Sequence, residues 1–137
     1  MRNQTKLIII GAIIMVLLSS VIVYALVDDV KGPLLYQVDI LPQSPVVGDI
    51  VSVAVYCIDP SGVSGAKLHY TLDGDTWNTK EMQFLACLCI AGGRWTASFG
   101  PLESGDTPKF YATVFDDSPF KNPEDSDVFT LEIEDSE

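Results

Sequence analysis

Hydrophobic residues follow two different patterns along the chain. Residues 7–27, LIIIGAIIMVLLSSVIVYALV, form a run of 21 positions without a charged side chain. At about 1.5 Å per residue, a helix of this length spans roughly 30 Å, the thickness of the hydrocarbon layer of a bilayer. In lipid the backbone of such a segment must be helical, because each unsatisfied amide costs several kcal/mol. The pattern therefore predicts one transmembrane α-helix over 7–27.

The charges on either side of this run predict its orientation. Arg2 and Lys6 precede it, whereas two aspartates follow it directly. By the positive-inside rule, 1–6 is cytoplasmic and the remainder lies outside the cell. A cleaved secretory signal is the alternative, because Val23-Tyr24-Ala25 offers small residues for a signal peptidase. The run is longer than the usual signal core of about 7–15 residues, which favours an uncleaved signal anchor in the cell membrane.

After Val27 the pattern changes to short runs of alternating hydrophobic and polar positions, separated by Gly, Pro, Asp and Ser. The clearest run carries Val51, Val53, Val55 and Cys57 on one face. Seven strands are predicted: Leu34–Leu41, Ile50–Ile58, Ala66–Leu72, Met82–Ile90, Arg94–Phe99, Lys109–Asp116 and Asp127–Ile133. Short strands at regular intervals indicate an all-β antiparallel sandwich over 34–133. A linker at 28–33 precedes it and an acidic tail at 134–137 follows it.

Several motifs in this part of the chain are shared with extracellular surface modules. They are DPSGV at 59–63, AKLHY at 66–70, DGDTW at 73–77, WTA at 95–97 and FYATVFD at 110–116. Together they resemble an immunoglobulin-like or fibronectin type III-like module over about 34–133. The resemblance implies a seven-stranded sandwich. It leaves the function open, because such modules serve as spacers, adhesins and complex subunits.

Composition narrows the possible functions. The 137 residues include 8 basic and 19 acidic side chains, for a net charge of −11. Nucleic acid is excluded as a partner, because phosphate contacts need clustered Lys and Arg. One histidine and no nucleophile pair predict a non-catalytic protein without a cofactor or a small-molecule substrate. No acidic spacing matches a calcium-binding EF-hand loop, so the carboxylates are interpreted as solvated surface.

The three cysteines predict a disulfide. An extracellular address favours oxidation. If the second and fifth predicted strands are antiparallel neighbours, Cys57 lies near 87–89, and we expect a Cys57–Cys89 bridge with Cys87 as the alternative partner. A Cu(I) site of Cys87, Cys89, Met82 and His69 is a further alternative. A blue-copper site is disfavoured because it needs two histidines and the chain has only His69, and no metal site is predicted.

The segment 84–91, FLACLCIA, is apolar at all eight positions. A strand with one solvated face should alternate, so something must cover its second face. One interpretation is a local fold-over pinned by the disulfide. The other is an interface with a protein or the bilayer surface, formed by Phe84, Leu85, Leu88 and Ile90.

These observations lead to three functional hypotheses. The first is a membrane-anchored, non-catalytic, accessory or structural subunit of a membrane or cell-envelope assembly, and the short linker agrees with it. The second is a free-standing surface adhesin or ligand-binding module, and the third is a small copper-binding protein. Trp77 and Trp95 are predicted to pack in or at the edge of the core, because a role in stacking on sugars would require exposure.

Overall fold

The computed structural model describes residues 2–28, 31–85 and 92–134. Contacts divide the chain into two compact units, Met1–Lys31 and Gly32–Glu137. The first unit consists of one helix, and the second contains the strands.

Helix α1 extends over Arg2–Asp28 and includes the whole predicted span. Its window Arg2–Val21 has a mean hydropathy of 2.0 and no buried residue, so it is long and apolar enough to cross a membrane. A signal sequence meets the same criteria. The hydroxyls of Ser19 and Ser20 donate to the carbonyls of Met15 and Val16 at 2.8 and 2.9 Å. Both hydroxyls are thus satisfied inside the helix, as an apolar environment requires.

In the described parts of the second unit, nine short strands form two antiparallel sheets. They are β1 Leu34–Leu41, β2 Val51–Ile58, β3 Val63–Thr71, β4 Asn78–Glu81, β5 Gln83–Leu85, β6 Gly92–Phe99, β7 Lys109–Asp116, β8 Pro123–Asp125 and β9 Phe129–Thr130. The first sheet has the order β1-β2-β6-β5. The second has the order β4-β3-β7-β8, with β9 also paired to β7.

The predicted number of seven strands was therefore too low. β4 and β8 were missed because their side chains are exposed throughout and no hydrophobic alternation marks them. The strand predicted over Met82–Ile90 is described only as β5, since 86–91 lies outside the described residues. The strand predicted over Asp127–Ile133 contracts to the two residues of β9.

One hydrophobic core lies between the two sheets. The inner face of β2 contributes Val51, Val53, Val55 and Cys57, all fully buried, as the alternation predicted. The second sheet contributes the apolar inner side chains of β3 and β7: Ala66, Leu68, Phe110, Ala112 and Val114. Because successive side chains on a strand point to opposite faces, the residues between these positions form the outer faces of the two sheets.

Candidate protein interface

A row of side chains crosses the outer face of the first sheet from edge to edge. Tyr56 of β2 lies opposite Gln37 of β1 and opposite Arg94 of β6. Arg94 in turn lies opposite Leu85 of β5. The predicted interface residue Leu85 is therefore the last member of a row that includes all four strands.

Exposed apolar side chains surround this row. Leu34, Tyr36, Ile58 and Leu85 are between 40% and 62% exposed. Leu34 lies opposite Ile58, and the ring centroids of Tyr36 and Tyr56 are 6.2 Å apart. We call Leu34, Tyr36, Tyr56, Ile58 and Leu85 the outer apolar face. Such a concentration on one side of a small domain is typical of a surface that binds another protein.

Arg94 supplies a positive charge within this face. The guanidinium carbon of Arg94 is 5.5 Å from the ring centroid of Tyr56, a cation–π distance. Its Nε is buried and has no hydrogen-bond partner among the residues that the structure describes. A depression of about 240 Å³ beside it is lined in part by Asp39, Leu41 and Thr96. The half-buried guanidinium therefore places a charged hydrogen-bonding group among apolar side chains.

Phe84, the other described interface residue, points to the opposite side of β5. It lies opposite Trp95, with ring centroids 5.2 Å apart. Gly93 permits this pair, because a Cβ at that position would lie 2.8 Å from the Phe84 ring and 2.9 Å from Trp95 Nε1. Phe84 is still 54% exposed, so the inner side of β5 is also incompletely covered by described residues.

The remaining predicted interface residues, Leu88 and Ile90, lie outside the described residues, as do Cys87 and Cys89. Of the four predicted interface residues, the structure therefore describes only Phe84 and Leu85.

Cys57 has the neighbour on which the disulfide prediction depended. β2 pairs with β6 in antiparallel fashion, with Cys57 opposite Gly93. The thiol is free and fully buried, and it lies 3.8 Å from the Gly93 carbonyl oxygen. Burial, and to a lesser extent the charge of Asp59, raises the pKa of this thiol to about 11. The bridge to Cys89 stays a prediction.

The proposed soft copper ligands Met82 and His69 are not brought together. Met82 is buried in the core between the sheets, whereas His69 lies on the outer face of the second sheet. Both ring nitrogens of His69 already contact threonine hydroxyls. In the described parts of the chain, no three His, Cys, Asp or Glu side chains are grouped as metal ligands would be.

The two tryptophans differ in environment. Trp95 packs against the core, which confirms the prediction for that residue. Trp77 is 43% exposed and contacts Tyr111 on the outer face of the second sheet, so the packing prediction was wrong for Trp77.

Tyr56 and Arg94 of the outer face were not among the predicted interface residues. The signal that could have found them is the strand alternation itself. Buried positions at Val55 and Cys57 place Tyr56 on the other face, and pairing of the second and fifth predicted strands brings Arg94 beside it.

Comparison with known proteins provides information on the fold only. Neither a protein-family model nor a curated protein sequence matches the chain. Among solved structures, the chain is similar to the cycloalternan-degrading enzyme from Trueperella pyogenes in complex with covalent intermediate, with a TM-score of 0.55 and 14% sequence identity. The similar region covers 71% of this chain and 15% of the enzyme chain. At this identity the likeness shows a shared β-rich fold and carries no function with it.

Proposed function

We propose that this protein is a non-catalytic accessory or structural subunit of a membrane or cell-envelope assembly. In this proposal α1 is a signal anchor with its N-terminus in the cytoplasm. The body, residues 34–133, is an immunoglobulin-like sandwich outside the cell that binds a neighbouring protein of the assembly.

The observation that carries the proposal is the outer apolar face. Its five members lie on all strands of the first sheet except β6, and β6 places Arg94 among them. Tyrosine and arginine are enriched among the residues that dominate binding energy at protein interfaces. A flat face with aromatic side chains, one cation and short polar neighbours therefore fits a protein partner.

Charge and sequence support the extracellular part of the proposal. All 19 acidic but only six of the eight basic side chains follow Val27, so that part of the chain has a net charge of −13. Such a charge keeps a surface domain soluble and repels anionic lipid headgroups. The apolar face is thereby better suited to a protein than to the bilayer surface.

The immunoglobulin-like assignment rests on the turn and strand motifs together with the two-sheet arrangement. Two antiparallel sheets around one core are the common architecture of that class. The described residues form nine strands, whereas the resemblance implies seven, so the immunoglobulin-like class is part of the proposal.

The test is recovery of partners with the full-length chain. A tagged chain produced in its native cells should, in a mild detergent, purify with at least one membrane protein in fixed stoichiometry. Leu85→Asp and Ile58→Asp should each reduce that recovery at least tenfold, because each places a charge in the apolar contact. Val128→Asp is the matched control, since Val128 is an exposed aliphatic residue outside the face.

Thermal unfolding and circular dichroism establish that each variant is folded. Recovery that is unchanged in both folded face variants would exclude this face as the interface. A wild-type chain that purifies alone would contradict the subunit proposal.

A further inference from the structure

The outer face of the second sheet carries an exposed tryptophan in a ring cluster. Trp77 contacts Tyr111 edge-to-face, with centroids 5.4 Å apart and planes at 62°. His69 stacks on the same tyrosine at 4.4 Å with an interplanar angle of 21°. His69 and Tyr111 are register partners of β3 and β7, so the sheet itself holds these two rings together.

A chain of hydrogen bonds fixes the orientation of His69. The Thr113 hydroxyl donates to the Asp125 carboxylate at 2.6 Å, and its oxygen lies 3.0 Å from His69 Nε2. Because the hydroxyl proton is used on Asp125, Nε2 must be the protonated nitrogen and donate to Thr113. Nδ1, 2.8 Å from the Thr79 hydroxyl, then accepts. Burial lowers the pKa of His69, which agrees with a neutral ring.

A separate turn positions Trp77. One carboxylate oxygen of Asp73 accepts from the Thr71 hydroxyl at 3.0 Å, from the Asp75 amide at 2.8 Å and from the Thr76 amide at 2.6 Å. The bonds from Thr76 and Asp75 hold the pKa of Asp73 well below its usual range, so the carboxylate remains ionised. The Trp77 indole thus follows a turn whose conformation is fixed by hydrogen bonds to the Asp73 carboxylate.

The charged side chains near the rings already have partners within the fold. Lys67 lies opposite Thr113 on β7 and forms an ion pair with Glu81 at 3.7 Å. Asp125, the other acidic side chain of this cluster, already accepts from Thr113. Among these named side chains the carboxylates outnumber the cation, so the cluster does not favour an anionic ligand. The negative body as a whole also repels polyanions.

We propose that this cluster is a binding site for neutral carbohydrate. An open indole presents a flat apolar surface to the C–H face of a sugar ring, and the nearby carboxylate and hydroxyl oxygens can accept from sugar hydroxyls. Preorganised rings lose little conformational entropy on binding, which such shallow sites require. The site is on the opposite sheet from the outer apolar face and does not depend on the subunit proposal.

The test uses the full-length chain in a detergent without a sugar headgroup, because an alkyl glycoside would compete for the site. Neutral hexasaccharides of glucose, N-acetylglucosamine and mannose are titrated by isothermal titration calorimetry, which does not depend on the indole as a reporter. At least one series should produce a saturable change. Trp77→Ala should weaken that binding at least tenfold, and Trp77→Phe should weaken it less.

Phe120→Ala is the matched control, because Phe120 is a highly exposed aromatic residue at another site. It should bind as the wild type does. Equal binding by folded Trp77→Ala, or the absence of a response to all three series, would overturn the assignment. A response to tetramethylammonium but to no saccharide would overturn it in favour of a cation site.

Discussion

Arg94 and Tyr56 form a cation–π pair on the outer face of the first sheet, with the guanidinium carbon 5.5 Å from the ring centroid. The pair links β2 to β6, because Tyr56 and Arg94 lie directly opposite each other on these strands. A buried Nε without a partner in the described structure accompanies it. We expect this arrangement to contribute more to the binding of a partner than to the stability of the isolated domain.

Arg94→Ala should therefore change partner recovery more than stability. The lost cation–π contact contributes about 0.5–1 kcal/mol at a partly exposed site, and removal of an unsatisfied Nε offsets part of that loss. We expect the free energy of unfolding to change by less than about 1 kcal/mol, while recovery of the partner falls severalfold. Denaturant unfolding and quantitative co-purification measure the two effects. A large loss of stability would instead identify Arg94 as a structural residue.

Gly93→Ala should destabilise the body by about 1–3 kcal/mol, because the new Cβ would overlap the rings of Phe84 and Trp95. The double variant Gly93→Ala with Phe84→Ala should be less destabilised than the sum of the single variants, because removal of one ring leaves room for the Cβ. Additive effects in urea unfolding would show that the two residues do not share this constraint.

His69 should make stability fall as the pH is lowered from about 6.5. Burial lowers its pKa in the folded state below the reference value of 6.5, so the unfolded chain binds the proton more readily. The contribution is complete above pH 6.5 and decreases as the pH drops toward the folded-state pKa. Chemical unfolding between pH 7.5 and 5 measures this slope. His69→Gln should reduce it, and an identical slope in that variant would assign the dependence to other groups.

Cys57 should oxidise during folding rather than after it. With a pKa of about 11, roughly one thiol in a thousand is a thiolate at pH 8, and the side chain is fully buried. Chain refolded with a glutathione redox pair should contain the Cys57–Cys89 bridge by peptide mass, with Cys87 as the alternative partner. A reduced chain that is folded first should oxidise much more slowly. Equal rates would show that the thiol is accessible in the folded protein.

Formation of that bridge closes a loop of about 30 residues and should stabilise the body by roughly 3–4 kcal/mol. Comparison of Cys57→Ser with the wild type under oxidising and reducing conditions separates this effect from lost packing. If the two proteins differ equally under both conditions, the stabilisation does not come from a disulfide.

Leu68→Ala should cost about 2–5 kcal/mol, since Leu68 is fully buried between the sheets. Leu34→Ala is the contrasting change, because Leu34 is mostly exposed on the outer apolar face, and it should alter stability by about 0.5 kcal/mol or less. A large loss in the Leu34 variant would show that this side chain is covered within the monomer.

The sequence predicts the helix and the long strands because their hydrophobic signals are strong. Residues 7–27 lack charge, and the alternation at Val51, Val53 and Val55 reproduces the buried face of β2. β4 could not be found in this way, because Asn78–Glu81 is polar at every position and pairs at an exposed edge. Its strand character comes from backbone bonding to β3, which no local pattern reveals.

The candidate sites were predicted in part for a related reason. Phe84 and Leu85 were singled out because they stand in an apolar run, whereas their placement on opposite faces of β5 follows from the pairing with β6. Trp77 was assigned to packing because nothing in the sequence pattern shows that its side chain is exposed. The network from His69 through Thr113 to Asp125 depends on the registers of three strands and has no signature in the sequence.

The two serines of α1 affect whether this helix can select a neighbouring helix by hydrogen bonding. Since Ser19 and Ser20 direct their hydroxyls at carbonyls of their own helix, neither hydroxyl proton is free for a bond to a second helix. In the proposed anchor, these two hydroxyl donors therefore add no preference for one neighbouring helix over another. Replacement of α1 by an unrelated apolar helix of the same length should then preserve delivery to the membrane. The strands of the body would still select the protein partner.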